Sequence, residues 1–229
     1  MKKQITIAID GFSSTGKSTL AKQLAQQLGY IYVDTGAMYR AVAYFAMQNQ
    51  LISIDSFDKV KLVNELKNIT LDFKFNSDLG FAEMYLNGQN VETAIRTIEV
   101  SGFVSKVAEV SEVRAKLVEQ QKEMGKNKAI VMDGRDIGTV VFPDAELKLF
   151  MTASAQTRAE RRFNELIQNG ANVSFEEVLK NVEERDYIDT HREDSPLVMA
   201  EDAVEIDNSH LTREEQFQAV LELVKAIID

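Results

Sequence analysis

The residues whose types and spacing most clearly suggest chemistry lie in the segment GFSSTGKSTLAK, residues 11–22. The segment has the form G-x-x-x-x-G-K-[ST], a glycine-rich loop that binds the phosphates of a nucleotide. Its glycines allow a tight turn whose backbone N–H groups face the phosphates, and the following helix adds the positive end of its dipole. Lys17 would reach the terminal phosphates, and Ser18 would offer its hydroxyl to Mg²⁺. We expect the nucleotide to contact the whole loop: Gly11, Phe12, Ser13, Ser14, Thr15, Gly16, Lys17, Ser18 and Thr19.

A carboxylate that could assist the metal ends the apolar run AIVMD, residues 129–133. Sites for Mg²⁺ and a nucleotide use an acidic side chain at the end of a nearby strand, so Asp133 is predicted to hold Mg²⁺ through a water molecule. The alternative is that Asp133 only caps a helix or turn.

The arginines of the C-terminal half form two stripes at helical spacing. One helix carries three at i, i+3 and i+4, and the next carries Arg, Asp and Arg at i, i+4 and i+7: Arg158, Arg161 and Arg162, then Arg185, Asp189 and Arg192. Phosphoryl transfer needs charge neutralisation and exclusion of water, which a closing lid with such stripes would supply. A solvated face with pairs such as Arg185 with Asp189 is the alternative, but beside a phosphate loop we favour the lid.

Composition excludes several other classes of protein. The chain has 229 residues and is 45% hydrophobic, which is enough for a substantial core. The absence of cysteine excludes disulfides, thiolate metal sites and a cysteine nucleophile. A net charge of −10 disfavours non-specific nucleic-acid binding, and no apolar run approaches the roughly 20 residues that span a bilayer. We expect a cytoplasmic protein with no nucleic-acid partner and no membrane partner.

The strands and helices that must position these residues alternate along the chain. Buried strands are predicted at 4–9, 30–34, 129–133, 146–153 and 203–207, and helices at 20–28, 36–49, 55–68, 97–110, 112–125, 155–169, 174–190 and after Thr212. A small β-meander at 70–92 includes the hairpin signal Asn87-Gly88. The alternation predicts an α/β fold with a parallel sheet flanked by helices. We divide it into a core (1–35, 102–156 and 193–229), an insertion (36–101) and a helical lid (157–192).

The phosphate loop leaves several classes of nucleotide-binding protein open. A GTP-dependent switch would need the guanine-reading motif N-K-x-D, and the segment NKAI at 127–130 lacks its aspartate. Motor and transporter ATPases are usually larger, so a small-molecule kinase remains. A binding module that senses nucleotides without transferring phosphate is the alternative.

Four segments in this order resemble the bacterial cytidylate kinases: GFSSTGKSTLAK, DTGAMYRAVA (34–43), DGRDIGTVVFPDAELKLF (133–150) and ERDYIDTHREDSPL (184–197). The similarity covers essentially the whole chain. The resemblance implies a P-loop core, a monophosphate-binding insertion with a small antiparallel sheet, and a lid. It also implies phosphoryl transfer from ATP with Mg²⁺ to CMP or dCMP by a protein that we expect to be a monomer. UMP, AMP and dTMP remain alternative acceptors.

The resemblance also assigns roles to individual residues. The implied catalytic groups are Lys17, Arg135, Arg158, Arg162 and Arg192, with Arg158 and Arg162 near the donor phosphates. The implied acceptor site comprises Thr35, Gly36, Tyr39, Arg40, Ser105, Arg114, Arg135, Asp136, Arg185, Asp189 and Arg192. Within it, Arg40 would hold the phosphate and Asp189 the ribose hydroxyls. The cytosine edge would be read by Ser105, Arg114 and Asp136.

Two details of the sequence bear on these roles. Ser105 and Arg114 are nine residues apart, so they can read one base only if the helix breaks between them, and Ser111 is a plausible N-cap for a new helix at 112.

The phosphate loop has Phe12 and Ser13 where the family usually has proline and glycine. Because Gly16, Lys17 and Ser18 are intact, phosphate binding is still expected.

Overall fold

The computed structural model of the protein describes residues 3–78 and 80–228. The chain divides into two compact units, Met1–Val33 with Lys122–Asp229, and Asp34–Gln121. Residues 1, 2, 79 and 229, which the predicted domain ranges include, lie outside the described residues. The functional division into core, insertion and lid stays a prediction.

Eight strands and eight α-helices follow one another along the described residues. The strands are β1 (Thr6–Gly11), β2 (Ile31–Asp34), β3 (Leu71–Asn76), β4 (Phe81–Leu86), β5 (Gln89–Asn90), β6 (Ile130–Asp133), β7 (Leu147–Thr152) and β8 (Val204–Asp207). The helices are α1 (Lys17–Leu28), α2 (Thr35–Gln48), α3 (Lys59–Glu65), α4 (Ile98–Ala108), α5 (Ser111–Met124), α6 (Ala155–Gln168), α7 (Phe175–His191) and α8 (Arg213–Ile228).

The first unit is built on a five-stranded sheet with the order β2-β6-β1-β7-β8. β1 pairs in parallel with β6 and β7, and β7 pairs in parallel with β8. The central strand β1 is buried along its whole length, as its apolar sequence predicts. Its isoleucines form one core with apolar residues of α1 and α8, including Leu20, Leu24, Val220 and Val224. The predicted α/β class is confirmed.

Four strands of this sheet carry an aspartate at or next to their last residue: Asp10, Asp34, Asp133 and Asp207. In open α/β sheets, ligands bind outside the carboxyl ends of the strands. These carboxylates therefore mark the edge of the sheet at which polar chemistry is expected.

The second unit combines helices with a small antiparallel sheet of order β3-β4-β5. Asn87 and Gly88 join β4 to β5 with φ of 49° and 81°, as a two-residue hairpin turn requires. The helix predicted over 55–68 is shorter than expected. Asp58 caps α3 by accepting the N–H of Lys61, and Leu66–Asn68 continue as a 3₁₀ turn.

The predicted break between Ser105 and Arg114 is confirmed, because α4 ends at Ala108 and α5 begins at Ser111. The carbonyl of Val110 accepts the N–H of Arg114 in the first turn of α5. The new helix therefore begins one residue earlier than predicted, and Ser111 is its first residue rather than its cap.

Two other helix starts match their sequence signals. Ser174 and Glu177 form the predicted capping box of α7, and Thr212 and Glu215 exchange the same pair of hydrogen bonds before α8. Among the residues that the structure describes, no helix is both long enough and apolar enough to cross a membrane.

Candidate active site

The phosphate loop connects β1 to α1 in the first unit. Gly11 and Gly16 have φ of 137° and 90°, which favour glycine. A Cβ atom at Gly11 would lie 2.0 Å from the carbonyl oxygen of Met151 in β7, so a side chain cannot be accommodated there. The buried Nζ of Lys17 donates to the carbonyl oxygens of Gly11, at 2.8 Å, and Phe12, at 2.6 Å. The loop thus curls around its own lysine.

The electrostatic environment of Lys17 makes its charge costly in the free protein. Burial lowers the pKa of Lys17 well below its ordinary value, and the positive charge of Arg135 lowers it further, while Asp133 and Asp10 act in the opposite direction. An anion at the loop would relieve this cost, since its negative charge would replace the hydration that Lys17 loses on burial.

Ser18 and Asp133 meet at the end of β6. The Ser18 hydroxyl donates to Oδ2 of Asp133 at 3.0 Å, and the Tyr32 hydroxyl donates to Oδ1 at 2.8 Å. The described residues contain no group of three or more histidine, aspartate or glutamate side chains suited to enclosing a metal. Mg²⁺ that accompanies a nucleotide needs only one or two protein oxygens besides phosphate and water, so this hydroxyl and carboxylate fit it.

One buried carboxylate, Asp189 on α7, contacts Arg135 and is also under the electrostatic influence of Arg185 and Arg192. The Nε of Arg135 donates to Oδ2 of Asp189 at 2.8 Å. Burial alone would raise the pKa of Asp189, but Arg135, Arg185 and Arg192 together lower it below its ordinary value. The carboxylate is therefore ionised at neutral pH and can accept hydrogen bonds from hydroxyl groups.

Arg192, at the C-terminal end of α7, has a buried side chain. Its Nε donates to the carbonyl oxygen of Ser195 at 2.7 Å, and its Nη2 lies 3.9 Å from Oδ1 of Asp136. Asp136 precedes a single π-type turn, Ile137–Val141, which the sequence did not predict. The structure thus brings together five predicted residues of this unit: Arg135, Asp136, Arg185, Asp189 and Arg192.

Arg158 is held by groups on three sides of its guanidinium. It forms a bidentate ion pair with Asp186 of α7, at 3.0 Å and 2.6 Å. Its Nε donates to the carbonyl oxygen of Ala153, and its Nη1 donates to that of Ser13 in the phosphate loop. The guanidinium also lies over the ring of Phe12, with its carbon 5.1 Å from the ring centroid. Phe12, which departs from the family pattern, thus contacts a predicted lid arginine.

The other two arginines of α6 bind different partners. Arg161 donates to the side-chain oxygen and the backbone carbonyl of Asn208, and Arg162 pairs with Glu165 one turn further along α6. Although the three arginines lie on one face of α6, the contacts described here connect their guanidinium groups to three different residues. Asn208 in turn donates to the carbonyl oxygen of Thr15 in the phosphate loop.

In the second unit, the predicted phosphate-binding residue Arg40 lies beside Asp34. Nη2 of Arg40 donates to Oδ2 of Asp34 at 2.8 Å, while Oδ1 of Asp34 caps α2 by accepting the N–H of Ala37. A Cβ atom at Gly36 would lie 2.9 Å from Nη1 of Arg40. Gly36 therefore leaves the space that the guanidinium occupies. Thr35, the first residue of α2, is buried.

Two of the three residues predicted to recognise the base, Ser105 and Arg114, are buried in the same unit, and so is Tyr39 of the predicted acceptor site. Tyr39 lies on α2, Ser105 on α4 and Arg114 on α5. The guanidinium carbon of Arg114 lies 5.9 Å from the centroid of the Tyr39 ring. Arg114 therefore lies beside Tyr39. The break between α4 and α5 is also present, and Ser105 and Arg114 need this break if both are to contact one base.

Sequence reasoning missed several polar residues that support these groups: Asp10, Tyr32, Asp34, Arg96, Asp186 and Asn208. Asp10 is buried, and its two oxygens accept the N–H groups of Ile137, at 2.8 Å, and Gly138, at 2.7 Å. The signal that could have identified Asp10 and Asp34 is the one used for Asp133, an aspartate at the end of a predicted strand. No comparable signal marks Asp186 or Asn208, whose partners are remote in sequence.

Comparison with known proteins identifies the family of this chain. The model of the cytidylate kinase family matches residues 7–226. A cytidylate kinase of Flavobacterium johnsoniae is 78% identical over 226 residues, which cover 99% of this chain and 98% of that protein. Cytidylate kinases of Flavobacterium psychrophilum, 72% identical with 98% and 100% covered, and of Bacteroides fragilis, 54% identical with 98% and 99% covered, are also similar. The chain belongs to the cytidylate kinase family.

Proposed function

We propose that the phosphorylation of CMP by this family member uses ATP with Mg²⁺ as the donor, and that dCMP is accepted as well. The acceptor phosphate is already an anionic nucleophile, so the reaction requires no general base. What it requires is neutralisation of charge, alignment of the reacting groups and exclusion of water. These are tasks for the buried cations of the site.

The donor half of the proposal rests on the phosphate loop. Residues Gly11–Thr19 would surround the phosphates, and Lys17 would exchange its two loop carbonyls for phosphate oxygens. Ser18 and, through a water molecule, Asp133 would hold Mg²⁺, which when bound neutralises charge on the terminal phosphates. Arg158 and Arg162 would contact the donor phosphates, and for Arg158 this means leaving Asp186.

The acceptor half assigns the remaining predicted residues. Arg40 would bind the acceptor phosphate next to Thr35 and Gly36. Ser105, Arg114 and Asp136 would read the cytosine edge, and Tyr39 would belong to the acceptor site. Asp189 would accept hydrogen bonds from the sugar, and Arg135, Arg185 and Arg192 would neutralise phosphate charge. The observation that carries the proposal is the buried ion pair of Arg135 with Asp189 in the unit that holds the phosphate loop, and the charges of Arg185 and Arg192 also lower the pKa of this carboxylate.

An assay of ADP release in the presence of ATP, Mg²⁺ and each of CMP, dCMP, UMP, AMP and dTMP tests the proposal. We expect rapid turnover with CMP, measurable turnover with dCMP and much slower turnover with the others. Lys17→Ala should abolish turnover and leave the far-UV circular dichroism unchanged, and Arg192→Ala should lower kcat far beyond any loss of stability. Tight ATP binding without ADP formation from any monophosphate would instead identify a nucleotide-sensing module.

The remaining features of the proposal concern partners and location. We propose a cytoplasmic monomer that binds only small-molecule substrates, without a nucleic-acid or membrane partner. The net charge of −10 supports the absence of a nucleic-acid partner, since non-specific polyanion binding needs a basic surface. Sedimentation of the purified protein at assay concentrations tests the monomer.

A further inference from the structure

Arg96, which has no role in the proposed function, links the small antiparallel sheet to the arginine proposed to bind the acceptor phosphate. It lies in a 3₁₀ turn, Ala94–Arg96, just before α4. Its Nη2 donates to Oδ2 of Asp34 at 3.2 Å, the same oxygen that accepts from Arg40 at 2.8 Å. A single carboxylate oxygen is therefore shared by two guanidinium groups.

The other side of Arg96 is fixed by Glu92. Oε1 of Glu92 accepts from Nε of Arg96 at 2.8 Å and also pairs with its Nη2. Oε2 of Glu92 accepts the backbone N–H of Met84, in the middle of β4, at 3.0 Å. The result is a continuous series of polar contacts from the backbone of β4 through Glu92, Arg96 and Asp34 to Arg40.

The two carboxylates of this series are buried, while the side chain of Arg96 between them is partly exposed. Asp34 is 6% exposed and Glu92 9% exposed, and Oδ1 of Asp34 is occupied by the N-terminus of α2. Burial raises the pKa of Asp34, but Arg40 and Arg96 together lower it to about 2, so the shared carboxylate is charged throughout the neutral range. Any side chain at position 36 would displace the guanidinium of Arg40. The position of Arg40 is thus set by its neighbours rather than by its own flexible stem.

We propose that Arg96 is a positioning residue for the acceptor phosphate: by bridging Glu92 and Asp34 it fixes the carboxylate that orients Arg40. The inference rests on the proposed function, in which Arg40 binds that phosphate. It gives the β3–β5 sheet a role in phosphate recognition, because β4 holds the outer end of the series. Without Arg96, Asp34 loses one of its two guanidinium partners. The carboxylate that orients Arg40 is then no longer held in place.

The test compares the affinities of CMP and of cytidine, which lacks the phosphate, by titration calorimetry. The variants are Arg40→Gln, Arg96→Gln and their combination, with Lys67→Gln as the control that removes an exposed positive charge from the same unit. We expect Arg96→Gln to weaken CMP binding about tenfold, the order expected for disturbing one charged hydrogen bond, and to leave cytidine binding unchanged. In the Arg40→Gln background the same change should have little further effect on CMP binding.

Arg96→Lys keeps the proposal testable if Arg96→Gln folds poorly. A lysine retains the positive charge beside two buried carboxylates, but its single ammonium cannot bridge them as the planar guanidinium does. We expect near-normal thermal unfolding and the same selective loss of CMP affinity. Full CMP affinity in Arg96→Lys would overturn the proposal, because charge alone would then be sufficient.

Two other outcomes would also overturn it. Equal losses from Arg96→Gln in the presence and absence of Arg40 would mean that Arg96 does not act through Arg40. A parallel loss of CMP and cytidine binding would mean that Arg96 only stabilises the fold. If the unaltered protein bound CMP no more tightly than cytidine, or if Arg40→Gln kept that preference, the role of Arg40 in the proposed function would fail instead.

Discussion

Protonation of Asp10 should stabilise the protein as the pH falls from 6.5 to 4. Asp10 is buried at the end of β1 and holds the π-type turn through the N–H groups of Ile137 and Gly138. Burial, and to a smaller extent Asp136, raise its pKa from 3.8 to about 6, although the two N–H donors and Lys17 act in the opposite direction. Because its pKa is higher in the folded state than in the unfolded state, folding is linked to proton uptake by Asp10 between these values.

The magnitude follows from the two pKa values. A rise from 3.8 to about 6 corresponds to about 3 kcal/mol at full protonation, since each pKa unit is worth about 1.4 kcal/mol. This contribution is complete only below pH 3.8 and is lost as the pH rises through 6. Between pH 6.5 and pH 4, the free energy of unfolding should therefore gain about 2 kcal/mol from Asp10 alone.

The matched control is Asp10→Asn, which keeps the shape of the side chain and removes the titration. Its amide can accept only one of the two N–H groups, so we expect it to be about 1–2 kcal/mol less stable at neutral pH. The comparison depends on the change with pH, because all other titrating groups are common to both proteins. The chain has no tryptophan, so urea unfolding is followed by far-UV circular dichroism at each pH.

We expect the difference in stability between the two proteins to widen by about 2 kcal/mol from pH 6.5 to pH 4. A carboxyl ¹³C titration of Asp10 in the unaltered protein should give a midpoint near 6, as its pKa requires. Parallel stability profiles for the two proteins, or a midpoint near the ordinary value of 3.8, would refute the reasoning.

Three further changes test individual contacts. Gly11→Ala should destabilise the protein by more than about 3 kcal/mol in urea unfolding, because the new Cβ would lie 2.0 Å from a carbonyl oxygen of β7; unchanged stability would contradict this. Asp186→Asn should lower the melting temperature of the nucleotide-free protein, since it removes the bidentate partner of Arg158. Saturating ATP with Mg²⁺ should then raise the melting temperature of this variant more than that of the unaltered protein. Equal rises in the two proteins would argue against exchange of Asp186 for phosphate. Gly36→Ala should raise KM for CMP about tenfold with little loss of stability, because it displaces the flexible end of Arg40; an unchanged KM in steady-state assays would contradict the proposed role of Arg40.

The elements and their order could be predicted because their signals are local. The apolar run before the glycine-rich loop became β1, and Asn87-Gly88 formed the hairpin. The capping box at Ser174 marked the start of α7, and the required break between α4 and α5 is present. Each of these features depends on residues within a few positions of one another. The helix predicted over 55–68 was too long at both ends, because Asp58 caps the start of α3 and Leu66–Asn68 form a 3₁₀ turn.

The partners of the charged residues could not be predicted in the same way. Spacing on α6 put Arg158, Arg161 and Arg162 on one face, but their guanidinium groups reach partners on different segments of the chain. Asp10 binds backbone groups 127 and 128 residues away in sequence. Such contacts depend on how strands and helices pack, and a pattern confined to one helix carries no information about them.

Three arginines of the candidate site are paired with carboxylates, and this pairing lowers the cost of burying their charges before any substrate binds. Arg158 lies against Asp186, Arg135 against Asp189 and Arg40 against Asp34, so each cation already has a carboxylate partner. An unpaired buried cation would be strongly destabilising, whereas a paired one is not. A phosphate that carries two negative charges can compete with a carboxylate that carries one, but a neutral ligand cannot. We therefore expect Asp186, which Arg158 must leave in order to reach the donor phosphates, to select for phosphate-bearing ligands, and the response of Asp186→Asn to ATP with Mg²⁺ tests this.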